Sequence, residues 1–223
     1  MKRILCYGDS NTYGCNPAWT PEWDKDPAKS VRFSEDIRWT CRLQKLLGDE
    51  YRVIEEGLPG RTTVYPDPVY PHCNGRSDVY SCILSHSPID LMVIMLGTND
   101  VKVTFKPCGD TIGRAMEELL KEILNPYIWE HRKVPEILLV APAPVGDNIE
   151  KSLLFGMYDR TSVELSRELG KVYEGLASRY GCHFMNAADY VEVSPGDSVH
   201  LNEENHGKMA KAMEEKIREI FEK

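Results

Sequence analysis

Residues 91–96, Leu-Met-Val-Ile-Met-Leu, are apolar at every position. Side chains alternate across a strand, so a strand of this kind is buried on both faces. Sheets covered on both faces are mostly parallel, and parallel neighbours need long crossovers, usually helices. The rest of the chain supplies them. Short segments at 3–7, 51–55, 137–141 and 183–185 read as further strands. Between and after them come helical segments: one capped by Ser34 or Asp36, running through Trp39, Leu43, Leu46 and Leu47 and stopped by Gly48; 77–87; 111–124, with Met116, Leu119, Leu120, Ile123 and Leu124 on one face; 158–180, ended by Gly181; and 203–221. Strands alternating with helices predict an α/β fold, a parallel sheet with helices on both faces. No repeat, low-complexity tract or linker divides the chain, so one domain over 1–223 is expected. Residues 11–33, carrying Pro17, Pro21, Pro27, Trp19 and Trp23, read as a loop, as does the stretch around Pro66, Pro68 and Pro71.

The net charge is -8, with no basic run longer than a pair. Phosphate contacts need clustered Lys and Arg, so nucleic acid and anionic membranes are disfavoured as partners, and a small neutral substrate is favoured. Seven cysteines without a C-x-x-C pair suit neither a zinc site nor a disulfide framework. Mostly buried free thiols, and hence a reducing cytoplasm, are the expectation. Met1-Lys2-Arg3 resembles the start of a signal peptide, but the apolar run after it is too short.

In open parallel sheets, ligands bind beyond the carboxyl ends of the strands. Gly8-Asp9-Ser10-Asn11 follows the first strand, Gly57-Leu58-Pro59-Gly60-Arg61-Thr62 the second, and Gly97-Thr98-Asn99-Asp100 the third. Asp197-Ser198-Val199-His200 precedes the last helix. Ser10 can be a nucleophile if His200 takes its proton. Asp197, three residues earlier, can hold Nδ1 of that ring and leave Nε2 facing Ser10. The backbone N–H groups of Ser10 and Gly60, with the Asn99 amide, can supply an oxyanion hole. Each residue alone has a plainer use: Ser10 as a turn or helix cap, Asp197 and His200 as caps of the last helix, Gly60 and Asn99-Asp100 as turns. Four such features at one edge of the sheet outweigh those uses taken singly. The remaining histidines, His72, His86, His131, His183 and His206, are scattered and read as surface or hydrogen-bonded side chains. G-x-S-x-G, G-x-G-x-x-G and Walker A motifs are absent, so a nucleotide cofactor has no support.

These blocks, in this order and across nearly the whole chain, resemble the SGNH (GDSL) hydrolases. The resemblance implies a flavodoxin-like three-layer α/β/α fold and a hydrolase with Ser10 as nucleophile, His200 as base and Asp197 as its partner. It implies an oxyanion hole of Ser10, Gly60 and Asn99, and neither metal nor cofactor. The segments 3–7, 38–40, 53–58 and 61–63 are most similar to the arylesterase/acyltransferase branch, which implies a homo-oligomer and acyl transfer to alcohols beside ester hydrolysis. In this comparison Gly60 is the oxyanion donor and Gly57 serves the turn. The position after the nucleophile is usually apolar in that family and is Asn11 here; residues 15–33 match least. A carbohydrate O-acetylesterase would use the same site. A binding protein that has lost catalysis is disfavoured, because each catalytic position carries its functional residue type.

Overall fold

Strand β1 (Lys2–Gly8) pairs on one side with β2 (Tyr51–Gly57) and on the other with β3 (Leu91–Met95). Strands β4 (Glu136–Ala141) and β5 (His183–Asn186) extend the sheet beyond β3. The order is β2-β1-β3-β4-β5, and every pairing is parallel. This computed structural model describes residues 1–19, 30–130 and 132–222. Pro21, Trp23, Pro27 and His131 lie outside the described residues.

The period-two pattern divides the core. Leu5 and Tyr7 of β1, Met92 and Ile94 of β3, and Ile137 and Leu139 of β4 face one apolar cluster. Helices α3 (Gly75–His86), α4 (Gly109–Ile123) and α5 (Arg160–Tyr180) cover it. Ile4 and Cys6, Leu91 and Val93, and Leu138 and Val140 face the other cluster, under α2 (Trp39–Leu47) and α6 (Glu203–Phe221). The all-apolar run at 91–96 thus feeds both cores, and three layers result. Among the described residues no helix is long and apolar enough to cross a membrane.

Local differences from the sequence reading have physical causes. A one-turn helix, α1 (Ser10–Tyr13), opens what reads as loop; four residues carry no helical periodicity to detect. Neither Ser34 nor Asp36 caps α2. Arg38 holds that position without a side-chain bond, and the first helical N–H, of Trp39, donates instead to Nδ1 of His206 on α6 at 3.2 Å. His206 is therefore a buried acceptor. Gly57 makes no turn: it ends β2, and a Cβ there would lie 2.1 Å from the Tyr13 nitrogen, so the glycine admits α1 against the strand. All seven thiols are free, but only Cys6 and Cys73 are fully buried and Cys108 is exposed.

In this strand order, β1 and β3 are adjacent while their following helices cover opposite faces of the sheet. Their exits therefore diverge and leave a crevice at the carboxyl end. Ser10 leaves from β1 and Asn99 from β3.

Candidate active site

The chain after β1 turns at once into α1. Asp9 stands at its cap, and its Oδ1 accepts the Asn11 N–H at 2.9 Å. This puts Ser10 at the first helical position, over the crevice. Trp39 Nε1 donates to the Asn11 carbonyl at 3.1 Å and ties the turn to α2.

From the other end of the chain, His200 Nε2 lies 2.9 Å from Ser10 Oγ, and His200 Nδ1 lies 2.6 Å from Asp197 Oδ2. The other carboxylate oxygen, Oδ1, accepts the backbone N–H groups of Val199 at 3.0 Å and His200 at 2.9 Å. The three-residue spacing thus closes a loop around one carboxylate and aims the ring outward. Asn11 fixes this loop to the Ser10 turn. Its Nδ2 donates to the Val199 carbonyl at 3.1 Å, and its Oδ1 accepts the Leu201 N–H at 2.9 Å. The polar residue after Ser10 thus brackets His200 from both sides. Its position in sequence carries no sign of that, because its partners are 188 and 190 residues away.

The third side of the crevice comes from the exits of β2 and β3. Gly60 adopts φ 83°, a left-handed conformation that glycine accepts without strain. Asn99 Nδ2 donates to the Arg61 carbonyl at 3.1 Å, and Tyr158 donates its hydroxyl to Asn99 Oδ1 at 3.1 Å. Arg61 Nη1 donates to the Gly8 carbonyl at 2.9 Å, and its guanidinium lies 4.1 Å from the Tyr7 ring centroid. Thr63 bonds Asp100 through both its backbone N–H and its hydroxyl. Ser10, Gly60, Asn99 and His200 line one cavity of about 180 Å³, walled also by Cys15, Tyr70, Lys102, Leu154, Met157 and Tyr158. Lys102 is itself buried, 3.4 Å from Asp67. Every predicted site residue faces this cavity except Asp197, which stands behind His200. Tyr158, Lys102 and the bracketing role of Asn11 are what the sequence reading missed.

Burial pushes the Asp197 carboxyl up, but the His200 ring and two backbone N–H groups hold it, on balance, below the ordinary carboxylate range. Asp9 and Asp100 are different. Burial pushes each from 3.8 up to about 6, against hydrogen bonds from Asn11 and Thr63 respectively. Between these values the folded state holds the proton more tightly than the unfolded chain. Stability from such a group therefore falls as pH rises through that window and stays lost above it. For Asp9 the shift corresponds to about 3 kcal/mol. Asparagine accepts the same Asn11 N–H without a charge. Urea unfolding at a series of pH values should show Asp9→Asn gaining on the parent between about pH 4 and pH 6, and a constant gap above. A gap independent of pH would contradict the burial effect.

Away from this site, Glu56, Cys82 and His86 place a carboxylate, a thiol and an imidazole within 4.8 Å of one another. His86 Nε2 and Glu56 Oε1 already share a hydrogen bond at 2.6 Å. Burial, aided by Glu56, pushes the Cys82 thiol up to about 12, and metals bind the thiolate. The cluster reads as a hydrogen-bonded histidine, like His183 on Glu136.

Residues 6–208 match the model of the GDSL-like lipase/acylhydrolase family. The chain belongs to that family. It is a carboxylic ester hydrolase with the α/β fold of the SGNH hydrolases. An aryl esterase from M. smegmatis is 34% identical, superposes with a TM-score of 0.88, and is matched over 98% of this chain and 99% of its own. A carbohydrate acetylesterase from Sinorhizobium meliloti is 32% identical with a TM-score of 0.88, over 99% and 100% of the two chains. An acetylxylan esterase from Xylanibacter ruminicola is 25% identical over 234 residues, covering 93% of this chain and 41% of that protein. The chain thus spans about two fifths of the length of this curated relative. The blocks at Ser10, Gly60, Asn99 and His200 all fall within the span matched to the family.

Proposed function

We propose that this family member is a serine esterase for small acyl esters, working through an acyl-enzyme on Ser10. The observation that carries the proposal is the series Ser10 Oγ, His200 Nε2, His200 Nδ1 and Asp197 Oδ2, linked at 2.9 and 2.6 Å. His200 takes the proton of Ser10 as Oγ attacks the ester carbonyl. The oxyanion is met by the N–H groups of Ser10 and Gly60 and by the Asn99 amide. His200 then protonates the departing alcohol. In the second half the acceptor loses its proton to His200 and attacks the acyl carbonyl; the bond from that carbon to Ser10 Oγ breaks as His200 returns the proton to Oγ, which frees Ser10. Asp197 holds the ring with Nδ1 protonated throughout. No step calls for a metal or cofactor.

A cavity of about 180 Å³ favours short acyl groups. Tyr70, Leu154 and Met157 give it an apolar wall beside Ser10, which disfavours water and favours an organic acceptor. We extend the proposal to acyl transfer onto small alcohols. With an activated aryl acetate and rising concentrations of a primary alcohol, new ester should form well beyond the mole ratio of alcohol to water. Partitioning at that ratio would leave a plain hydrolase. The similarity to a carbohydrate acetylesterase favours a second reading, release of acetyl groups from sugars. Acetylated sugars compared with aryl acetates by kcat/KM decide between them.

The expected setting is a reducing cytoplasm, which free thiols suit, and the expected partner is a small ester rather than nucleic acid or membrane. Val69, Leu153 and Phe155 are exposed next to the cavity-wall residues Tyr70 and Leu154, which supports contact with a second copy of the chain.

A further inference from the structure

A carboxamide can stabilise an oxyanion in only one of its two orientations. Turned by half a rotation about its last bond, Asn99 would present Oδ1 to the developing negative charge. Two contacts set the orientation. The Arg61 carbonyl can only accept, so Nδ2 of Asn99 faces it, at 3.1 Å. Oδ1 then lies on the other side, where the Tyr158 hydroxyl donates to it at 3.1 Å. One N–H of the amide serves Arg61, and the other remains for substrate.

We infer that Tyr158 is a positioning residue for the reaction proposed above: its hydroxyl locks the Asn99 amide in the donor orientation and, by donating to Oδ1, polarises it into a stronger donor. A hydrogen bond to the carbonyl end of an amide strengthens the bond its N–H makes, and this cooperativity counts most where water is excluded. The surroundings meet that condition, since Asn99 and Tyr158 are both buried. Tyr158 is also well anchored. Its backbone N–H bonds the Leu154 carbonyl and its carbonyl accepts from Gly156, both at 3.1 Å, and Asp159 beyond it caps α5. Burial, with the carboxylates of Asp9, Asp100, Asp197 and Asp67 adding to it, holds the phenol well above its ordinary range. It therefore stays a proton donor across the working pH of an esterase. A tyrosine acting only as an apolar wall of the cavity would do none of this, and phenylalanine would replace it without loss.

The inference rests on the esterase reading, and a double-mutant cycle keeps the two apart. Tyr158→Phe removes one oxygen and keeps the ring in place. Steady-state hydrolysis of an aryl acetate is compared in the parent, Tyr158→Phe, Asn99→Ala, the double variant and Ser10→Ala. Tyr158→Phe should lower kcat by roughly ten-fold with little change in KM, because the loss falls on the transition state. Asn99→Ala should lower kcat by roughly 10²–10³-fold. Tyr158→Phe should cost almost nothing further in the Asn99→Ala background, since its target is gone. A Tyr158→Phe protein at parental kcat overturns the inference. So does an equal loss in both backgrounds, or a change confined to KM. If instead the parent turns over no faster than Ser10→Ala, the esterase reading itself falls and takes the inference with it.

Discussion

Replacing Ser10 with alanine should lower kcat for an aryl acetate by at least ~10³-fold while leaving the fold intact. The hydroxyl contributes one bond, to His200. The cap of α1 belongs to Asp9, not Ser10, so the turn that carries the residue does not depend on the lost oxygen. Thermal melting should be nearly unchanged. Without an oxygen to acylate, what remains is catalysis by the oxyanion donors alone. A variant keeping more than about a tenth of the parental rate has lost only ~1.4 kcal/mol of transition-state stabilisation, too little for a missing nucleophile.

The second large effect is expected at Asp197. Asp197 Oδ1 accepts two backbone N–H groups, which can only donate, so asparagine at this position must keep its own oxygen there. Its NH₂ then faces His200 Nδ1, where the carboxylate now sits at 2.6 Å. That nitrogen must become an acceptor, the ring proton moves to Nε2, and Nε2 can no longer take the proton of Ser10. By analogy with other triads, Asp197→Asn should lower kcat by about 10⁴-fold, as measured by steady-state hydrolysis near neutral pH. Burial pushes the parental carboxyl up, but its hydrogen bonds with His200 and two backbone N–H groups hold it below the ordinary carboxylate range, so it is ionised near neutral pH. A loss under about ten-fold would show that His200 is oriented by something else.

The sheet and the edge that carries the chemistry were legible in the sequence because both follow from local pattern. A strand buried on both faces needs an unbroken apolar run, and residues 91–96 have one. Ser10, Gly60 and Asn99 could be placed together because strand exits in a parallel sheet lie at one edge; Asp197 and His200, ahead of the last helix, join them through the chemistry a serine nucleophile needs and through the resemblance of the blocks. The contacts that tune the site were not legible. Asn11 meets Val199 and Leu201 across almost the whole chain, and Tyr158 meets Asn99 over 59 residues. No spacing rule reaches so far. The cap of α2 differs from the Ser34 or Asp36 expectation for the same reason: its first N–H is satisfied by His206, 167 residues away, and a search among nearby Ser and Asp cannot find that. Glycine often makes a turn, which is what the pattern at Gly57 suggests, whereas the close passage of α1 exists only in the folded arrangement.

The claim that Ser10 is an activated nucleophile is tested most directly by covalent capture. A dialkyl aryl phosphate phosphorylates a serine only when a base takes its proton and an oxyanion site receives the phosphoryl oxygen. Treatment of the parent should add one dialkylphosphoryl group per chain by intact mass, with loss of esterase activity in step, and peptide mapping should place it on Ser10. The Ser10→Ala protein should take up none. Labelling elsewhere, equal labelling of Ser10→Ala, or an unmodified parent that still hydrolyses esters would contradict the account.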